Sequence, residues 1–324
     1  MEARVKQLCF ALAVFVVVAA AIPSVNAHFT MILPGTTNPS AKDFMVSVGE
    51  TKTFWVLWGH PFEHALFDAP TPEVHVLDPE GNVAEVEVTP ITVEGSKAWQ
   101  FTYTFTKMGD YVIYVDLLAV EHETWDHVKT IVHCGGEVWE GWDQSTGQRA
   151  EVIPYVRPYG LEEGFVYSGK ALFDGSPMSR ADVEVEKYHT AEVAEALVSV
   201  AEEEFQPNPS CVYTRLMKTN EDGEFAFTLD EPGVWYIGVY GPTEVVEGHE
   251  VQHRAVLQVV VDEAFGAPST INKLSQDVSG LSTRLAQLES TVASFSPGLV
   301  YAALALSVIA LVLAIVLPFA LRRR

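Results

Sequence analysis

Short runs of alternating apolar and polar residues, separated by turn residues, recur along most of this 324-residue chain. Between residues 28 and 157 the clearest are "MVSVGETKTFWVLWGH", "EVHVLDPEGNVAEVEV" and "AWQFTYTFTKMGDYVIYVDLL". β-branched and aromatic side chains favour strands, and the alternation suits sheets with one buried face. The sequence therefore predicts a mostly β fold.

A linker-like segment, "PYVRPYG" at residues 154–160, divides these runs into two groups. We therefore predict two β-sandwich domains, one at residues 28–157 and one at residues 158–265. In the first, "MGDYVIYVDL" is typical of a late strand of an immunoglobulin-like sandwich, where a tyrosine follows a turn. In the second, "TNEDGEFAFTLDEPGVWYIGVY" resembles a carboxypeptidase-regulatory-like β-sandwich.

Both ends of the chain carry the pattern of a targeting segment. Residues 1–27 have the basic start, apolar stretch and small residues of a secretory signal peptide, which predicts cleavage between Ala27 and His28. Residues 299–321 are almost wholly apolar and long enough for one transmembrane helix. The arginines at 322–324 mark the cytoplasmic side. These features predict a single-pass cell-membrane protein with a large extracytoplasmic part.

Residues 268–296 carry a heptad pattern. Apolar residues recur at alternating steps of three and four from Ile271 to Phe295. This spacing predicts a coiled-coil stalk that pairs two copies of the chain through residues 271–295. The alternative is a helix that packs on a partner's membrane helix.

The composition is strongly acidic, with 20 Lys and Arg residues against 43 Asp and Glu residues. Such a surface repels nucleic acid, so we expect no nucleic-acid partner. The same charge raises the local concentration of cations, or serves solubility and adaptation to high salt. The sequence alone leaves these explanations open.

Two of the three cysteines, Cys134 and Cys211, remain after signal cleavage. An extracytoplasmic compartment permits disulfides, and we expect these two to pair. The alternative is that Cys134, next to His133, serves as a soft metal ligand.

Three of the ten histidines stand where a cation site is expected. After cleavage His28 offers two nitrogen donors, its free amine and its imidazole. His60 and His64 are four residues apart, a spacing that shares one face of a helical turn or of a strand. Glu63 and Asp68 are nearby carboxylates that can bind a metal or accept an imidazole N–H. The alternative is that His60 and His64 only cap a loop.

A second group of histidines lies in "EHETWDHVKTIVHC". His122 falls in a loop, and His127 and His133 share one face of a predicted strand. We expect Asp126 to support His127, although both strand histidines can equally be buried and hydrogen-bonded to backbone. The full predicted set of metal ligands is His28, His60, His64, His122, His127 and His133.

The remaining four histidines are not included in this set. His75 and His189 look like structural residues within strands. His249 and His253 are four residues apart, and we expect them to be solvated at the edge of a strand.

Three stretches of the sequence match one known family. They are "AHFTMILPG", "VGETKTFWVLWGHPFEHALFDAP" and "DGEFAFTLDEPGVWYIGVY". Across residues 25–262 the chain resembles exported accessory proteins of nickel and cobalt uptake transporters of the energy-coupling-factor type. The resemblance implies metal capture outside the membrane, delivery to a membrane permease, and ligation by His28, His60 and His64.

The sequence therefore predicts a membrane-anchored binding protein for Ni²⁺ or Co²⁺ that feeds an uptake transporter and is not an enzyme. One alternative is a copper-binding protein or copper mono-oxygenase with an N-terminal histidine brace, because Cu²⁺ favours the same donors. Another is a stalked surface protein whose histidines are incidental. Ordinary imidazole titration predicts that metal affinity falls as the pH drops through about 6 to 7.

The heptad pattern makes a direct prediction about association. A soluble form that ends near Ser296 should sediment as a dimer, because two copies bury the apolar seam of residues 271–295 against each other. A form that ends at residue 264 is the matched control and should sediment as a monomer. A monomer in both cases would contradict the homotypic coil.

Overall fold

The structure is a computed structural model, and it describes residues 28–264, 278, 280–285, 287, 304 and 306–311. The chain divides into two compact units, residues 1–263 and residues 264–324. The predicted signal peptide, the basic tail and most of the predicted stalk and span lie outside the described residues. In the second unit, the described stalk residues Val278, Leu281 and Leu285 are helical and exposed. No helix among the described residues is long and apolar enough to cross a membrane.

The first half of the described chain is built almost wholly from strands. These are β1 (Phe29–Leu33), β2 (Met45–Val46), β3 (Thr51–His60), β4 (Ala65–Phe67), β5 (Glu73–Leu77), β6 (Val83–Glu85), β7 (Thr89–Val93), β8 (Ser96–Thr104), β9 (Gly109–Ala119) and β10 (Thr124–Cys134). Two 3-10 helices, Ala41–Phe44 and Val120–His122, lie between them.

The second half adds further strands and one α-helix. The strands are β11 (Ala150–Pro154), β12 (Leu161–Glu162), β13 (Phe165–Phe173), β14 (Ser176–Pro177), β15 (Asp182–Lys187), β16 (Arg215–Lys218), β17 (Glu224–Leu229), β18 (Gly233–Val246) and β19 (His249–Asp262). Helix α1 (Ala191–Glu204) and the 3-10 helix Pro209–Val212 lie between β15 and β16. This helix has the acidic sequence "AEVAEALVSVAEEE".

The strands of the described residues form three sheets. The first sheet has the order β1-β3-β8-β7, with β4 paired to β3. The central sheet has ten strands in the order β16-β15-β18-β19-β10-β9-β5-β6, with β12 beside β19 and β2 beside β10. The third sheet has the order β11-β13-β14, with β17 paired to β13. The prediction of a mostly β, sandwich-like fold is confirmed.

The central sheet is covered on both faces. Successive side chains of a strand point to opposite faces, and β9 shows this clearly. Ile113 and Val115 belong to a core shared with the first sheet, whereas Val112 and Tyr114 belong to a core shared with the third. A strand that is buried on both faces needs a nearly continuous apolar sequence, which β9 has. The fold is therefore three layers with two cores.

A parallel strand pair joins the two halves of the chain. Residues Thr124–Lys129 of β10 pair with Gln252–Leu257 of β19, and Asp126 lies directly opposite Arg254. Strands from both sides of the predicted boundary at residue 157 thus belong to one sheet. The two predicted sandwiches share their middle layer.

The predicted disulfide between Cys134 and Cys211 is wrong, since both cysteines are free thiols. Cys134 is buried at the end of β10 within the first core, whereas Cys211 is exposed in the 3-10 helix Pro209–Val212. Burial raises the pKa of the Cys134 thiol, which disfavours the thiolate that a soft metal ligand requires.

Adjacent residues of β10 test the shared sheet, because Val132 packs into the first core and Ile131 into the second. Val132→Ala and Ile131→Ala should each lower the free energy of unfolding of residues 28–264 by about 2 kcal/mol or more. Each should shift one common transition in urea, followed by tryptophan fluorescence and circular dichroism. Val83→Ala, on the exposed edge strand β6, should change little. Two separate transitions, with each core variant moving only one, would contradict a shared sheet.

Candidate functional site

Three segments bring His28, His60 and His122 together, and we call these residues the histidine cluster. His28 directly precedes β1, His60 ends β3, and His122 ends the 3-10 helix after β9. Phe29 pairs with Gly59, which makes His28 and His60 neighbours across the β1–β3 ladder. The ring centroid of His28 lies 4.6 Å from that of His60 and 5.4 Å from that of His122.

Two aromatic side chains line the histidine cluster. Trp58 is buried, stacks on His28 with 4.7 Å between ring centroids, and meets the ring of His122 at 4.5 Å. Phe67 lies 4.9 Å from His28 and is 39% exposed. His122 is also exposed. The cluster therefore has a buried floor and an opening to solvent.

A glycine sets the hairpin that carries His60. In the β3–β4 pair, Gly59 lies opposite Leu66 and His60 opposite Ala65. A Cβ atom at Gly59 would lie 2.0 Å from the carbonyl oxygen of Ala65, so no other residue fits without moving the backbone. The "Trp-Gly-His" sequence thus combines an aromatic wall, a close approach of two strands and a histidine.

Two ring nitrogens in the cluster are buried and without a hydrogen-bond partner. The carboxylate of Glu63 lies 2.5 Å from Nδ1 of His60. Because a carboxylate only accepts, Nδ1 carries the proton and Nε2 keeps a lone pair. Nε2 of His60 and Nδ1 of His28 are both buried with no partner in the structure. A carboxylate behind a histidine is the usual arrangement around a metal-binding imidazole, and Glu63 fills the supporting role that its spacing suggested.

The surroundings keep the ring of His28 neutral. Its pKa is lowered to about 4, first because burial penalises the charged form, then because His60, His122 and Arg254 add positive charge nearby. Neutral imidazole is the form that binds metal ions. His28 is therefore ready for a cation at any pH well above 4.

The cluster is not yet arranged as a ligand shell. Within the described parts of the chain, no group of three or more His, Cys, Asp or Glu side chains already stands in a geometry that could hold a metal ion. The imidazoles of His60 and His122 each pack edge to face against that of His28 instead. A bound cation would have to turn these rings so that their nitrogens converge.

The structure places His64 outside the cluster. Its Nε2 lies 2.7 Å from the carboxylate of Glu94, and its Nδ1 lies 2.8 Å from the carbonyl oxygen of His189. Both ring nitrogens are therefore occupied by hydrogen-bond acceptors. His64 is a strut that ties the hairpin to the segment after β15 and takes no part in the cluster.

His133 is engaged in the same way. Its Nδ1 lies 2.8 Å from Asp110, and its Nε2 lies 3.0 Å from the carbonyl oxygen of Gly136. The hydroxyl of Tyr159 donates to Asp110 at 2.6 Å. This buried network fixes the loop after β10 and leaves His133 without a free nitrogen.

His127 belongs to a separate pair on the opposite face from Asp126. Its Nδ1 contacts Asp116, and its Nε2 lies 2.9 Å from Nδ1 of His253. The supporting carboxylate is therefore Asp116 on the adjacent strand and not Asp126, because neighbours on a strand point to opposite faces. His253, expected to be solvated, is fully buried.

Two other expectations about histidines can be compared with the structure. His75 lies in β5 and stacks on Tyr114 at 5.0 Å between ring centroids, as a structural residue would. His189 is buried but follows β15 and does not lie within a strand.

Sequence reasoning missed the aromatic lining of the cluster. Trp58 has the same strand parity as His60, so period-two alternation alone puts both on one face. Phe67 has no such signal, because its place depends on the tight β3–β4 hairpin.

Comparison with solved structures gives only distant similarities. A DUF4785 family protein from Legionella pneumophila is 8% identical with a TM-score of 0.26, and the match covers 73% of this chain and 57% of that one. The α-2-macroglobulin of Escherichia coli is 14% identical with a TM-score of 0.23, covering 72% of this chain and 20% of that one. The chain thus spans little more than half of the first protein and a fifth of the second. Scores this low support no inference from either protein.

No curated protein matches the sequence. A family model does match, over residues 25–242, which is most of the chain and includes the whole histidine cluster. Its description is "Domain of unknown function (DUF4198)". The chain therefore belongs to the DUF4198 family.

Proposed function

We propose that this protein binds a divalent transition-metal ion, Ni²⁺ or Co²⁺, at the histidine cluster outside the cell membrane and passes it to a membrane permease. The observation that carries the proposal is the pair of buried, unpartnered ring nitrogens on His28 and His60. A buried polar atom without a partner is costly, and a cation that accepts both lone pairs removes that cost. The acidic surface favours the approach of the cation.

The free amine of His28 is part of the proposed site. Predicted cleavage after Ala27 would release it next to the imidazole of the same residue, so that one residue chelates the ion through two nitrogens. His60 would add Nε2, and His122 would add a ligand from the exposed side. An all-nitrogen set suits Ni²⁺, Co²⁺ and Cu²⁺ better than Mg²⁺ or Ca²⁺, which prefer oxygen.

The open side of the cluster supports transfer of the ion. His122 and Phe67 are exposed, whereas His28 and His60 sit deeper beside Trp58. A ligand at the surface can exchange first, which gives the ion a path to an acceptor protein. Copper chemistry at the same nitrogens is the competing function, and the metal preference separates the two.

Calorimetric titration of Ni²⁺, Co²⁺ and Cu²⁺ into residues 28–264 tests the proposed site. His60→Ala and His122→Ala should each weaken Ni²⁺ binding about tenfold or more, since each removes a nitrogen ligand. One extra alanine before His28 should weaken it at least as much, because it blocks the amine.

His64→Gln and His75→Ala are the matched controls, and neither should change Ni²⁺ affinity by more than about twofold, because neither residue lies in the cluster. Equal losses in all variants would contradict the site. Absence of binding by the unaltered protein would reject the metal function. Binding of Cu²⁺ alone would favour the copper alternative.

Titration of the His28 ring by proton NMR in the metal-free protein provides a second test. Its midpoint should fall at about pH 4, because burial disfavours the imidazolium. Protons should therefore stop competing with the metal ion for this ring at a pH well below the range of 6 to 7 that is expected for an ordinary imidazole. The same ring in the urea-unfolded protein is the reference, and its midpoint should lie near 6.5. Equal midpoints in the folded and unfolded states would show that His28 is not enclosed by the cluster.

A further inference from the structure

A buried ion pair lies directly behind His28. The guanidinium of Arg254 donates to both carboxylate oxygens of Asp126, at 2.9 and 3.0 Å, and both residues are fully buried. The same guanidinium donates to the backbone carbonyl of His28 and lies 4.4 Å from the ring centroid of Phe29.

The carboxylate of this pair also holds β1. One oxygen of Asp126 accepts two hydrogen bonds from Thr30, from the backbone N–H at 2.9 Å and from the side-chain hydroxyl at 2.8 Å. Asp126 and Arg254, which face each other across the β10–β19 pair, thus hold the first three residues of the predicted mature chain. Hydrogen bonds to a charged group are stronger than neutral ones, which makes this attachment stiff.

We propose that Asp126 and Arg254 are positioning residues for the histidine cluster, because they hold the backbone of His28 and Thr30 and so set where the His28 imidazole and amine stand. Neither residue faces the opening of the cluster. They act through β1, which pairs with β3 and so brings His28 beside His60.

The attachment links the two ends of the folded unit. His28 is its first described residue, and Arg254 lies in its last strand, 226 positions later. The site therefore forms only when β19 has joined the central sheet. The first predicted domain, residues 28–157, lacks the group that holds its own N-terminal residue.

The experiment changes Thr30, because Asp126→Asn would remove the nearest charge partner of a buried arginine and threaten the fold. Thr30→Val removes the hydroxyl but keeps the shape, whereas Thr30→Ser keeps the hydroxyl. Thr130→Val is the matched control, since Thr130 is equally buried and its hydroxyl has no partner. Each variant of residues 28–264 is titrated with Ni²⁺, and its melting temperature checks the fold.

Thr30→Val should weaken Ni²⁺ binding about tenfold, the equivalent of one hydrogen bond to a charged group. Thr30→Ser and Thr130→Val should bind as the unaltered protein does. Unchanged binding by Thr30→Val would overturn the positioning role while leaving the metal function intact. If Thr30→Val and Thr130→Val weaken binding equally, the effect of Thr30 is one of general packing, and the positioning role is likewise overturned.

A metal-free readout separates this inference from the proposed function, on which its binding test rests. Nuclear Overhauser contacts between the rings of His28 and Trp58 report the position of His28 directly. If the unaltered protein binds no Ni²⁺, the metal function fails. Loss of these contacts in Thr30→Val, but not in Thr30→Ser, would still support the positioning role, and their persistence would overturn it.

Discussion

The buried pair of Asp126 and Arg254 is the constraint on which the rest of the structure depends. Moving two charges out of water is expensive, and their attraction offsets that cost only where the remaining hydrogen bonds are also made. Here Thr30 donates to the carboxylate and the carbonyl of His28 accepts from the guanidinium, which also lies against the ring of Phe29. A different register of β10 against β19 would separate Asp126 from Arg254 in the interior. The pair therefore selects one alignment of the two halves.

A glycine on the next strand makes room for this arrangement. A Cβ at Gly238 would lie 2.9 Å from the ring of Phe29 and 3.1 Å from Cδ of Arg254. Phe29 and Arg254 can stack only because β18 carries no side chain there. Backbone, ring and guanidinium thus form one packed unit, and Phe29 links it to β1 of the first sheet.

The β content could be predicted from the sequence because alternation is a local signal. The shared central sheet could not, because β10 and β19 pair across more than a hundred residues with no local trace of that pairing. One clue was present in β9, where "YVIYV" is apolar at every position. A strand of a two-layer sandwich with one wet face would alternate, so this run indicates burial on both faces.

In the candidate site, too, the features that depend on local sequence could be predicted and those that depend on the fold could not. His28 and His60 could be predicted, since a cleavage junction and "Trp-Gly-His" are local patterns, and the structure brings both beside His122. His64, His127 and His133 have suitable spacing, but other residues, most of them distant in the sequence, occupy their nitrogens: Glu94 and His189, Asp116 and His253, Asp110 and Gly136. Spacing shows where a histidine is, whereas only the fold shows which lone pairs remain.

Burial lowers the pKa of a histidine and raises the pKa of a carboxylic acid, so the two kinds of group change the stability of the fold in opposite ways as the pH rises. The lowered pKa of His28, about 4, means that the stability it contributes is present above its unfolded pKa of 6.5 and is lost as the pH falls toward 4. Glu186 is buried near Phe62 in the loop that follows His60, and burial raises its pKa to about 8, so its contribution is present below 4.5 and is lost as the pH rises toward 8. At neutral pH the neutral imidazole is retained at no cost, while the carboxyl opposes folding. At neutral pH, desolvation therefore keeps the imidazole of His28 neutral without loss of stability, but it lowers stability through the carboxyl group of Glu186.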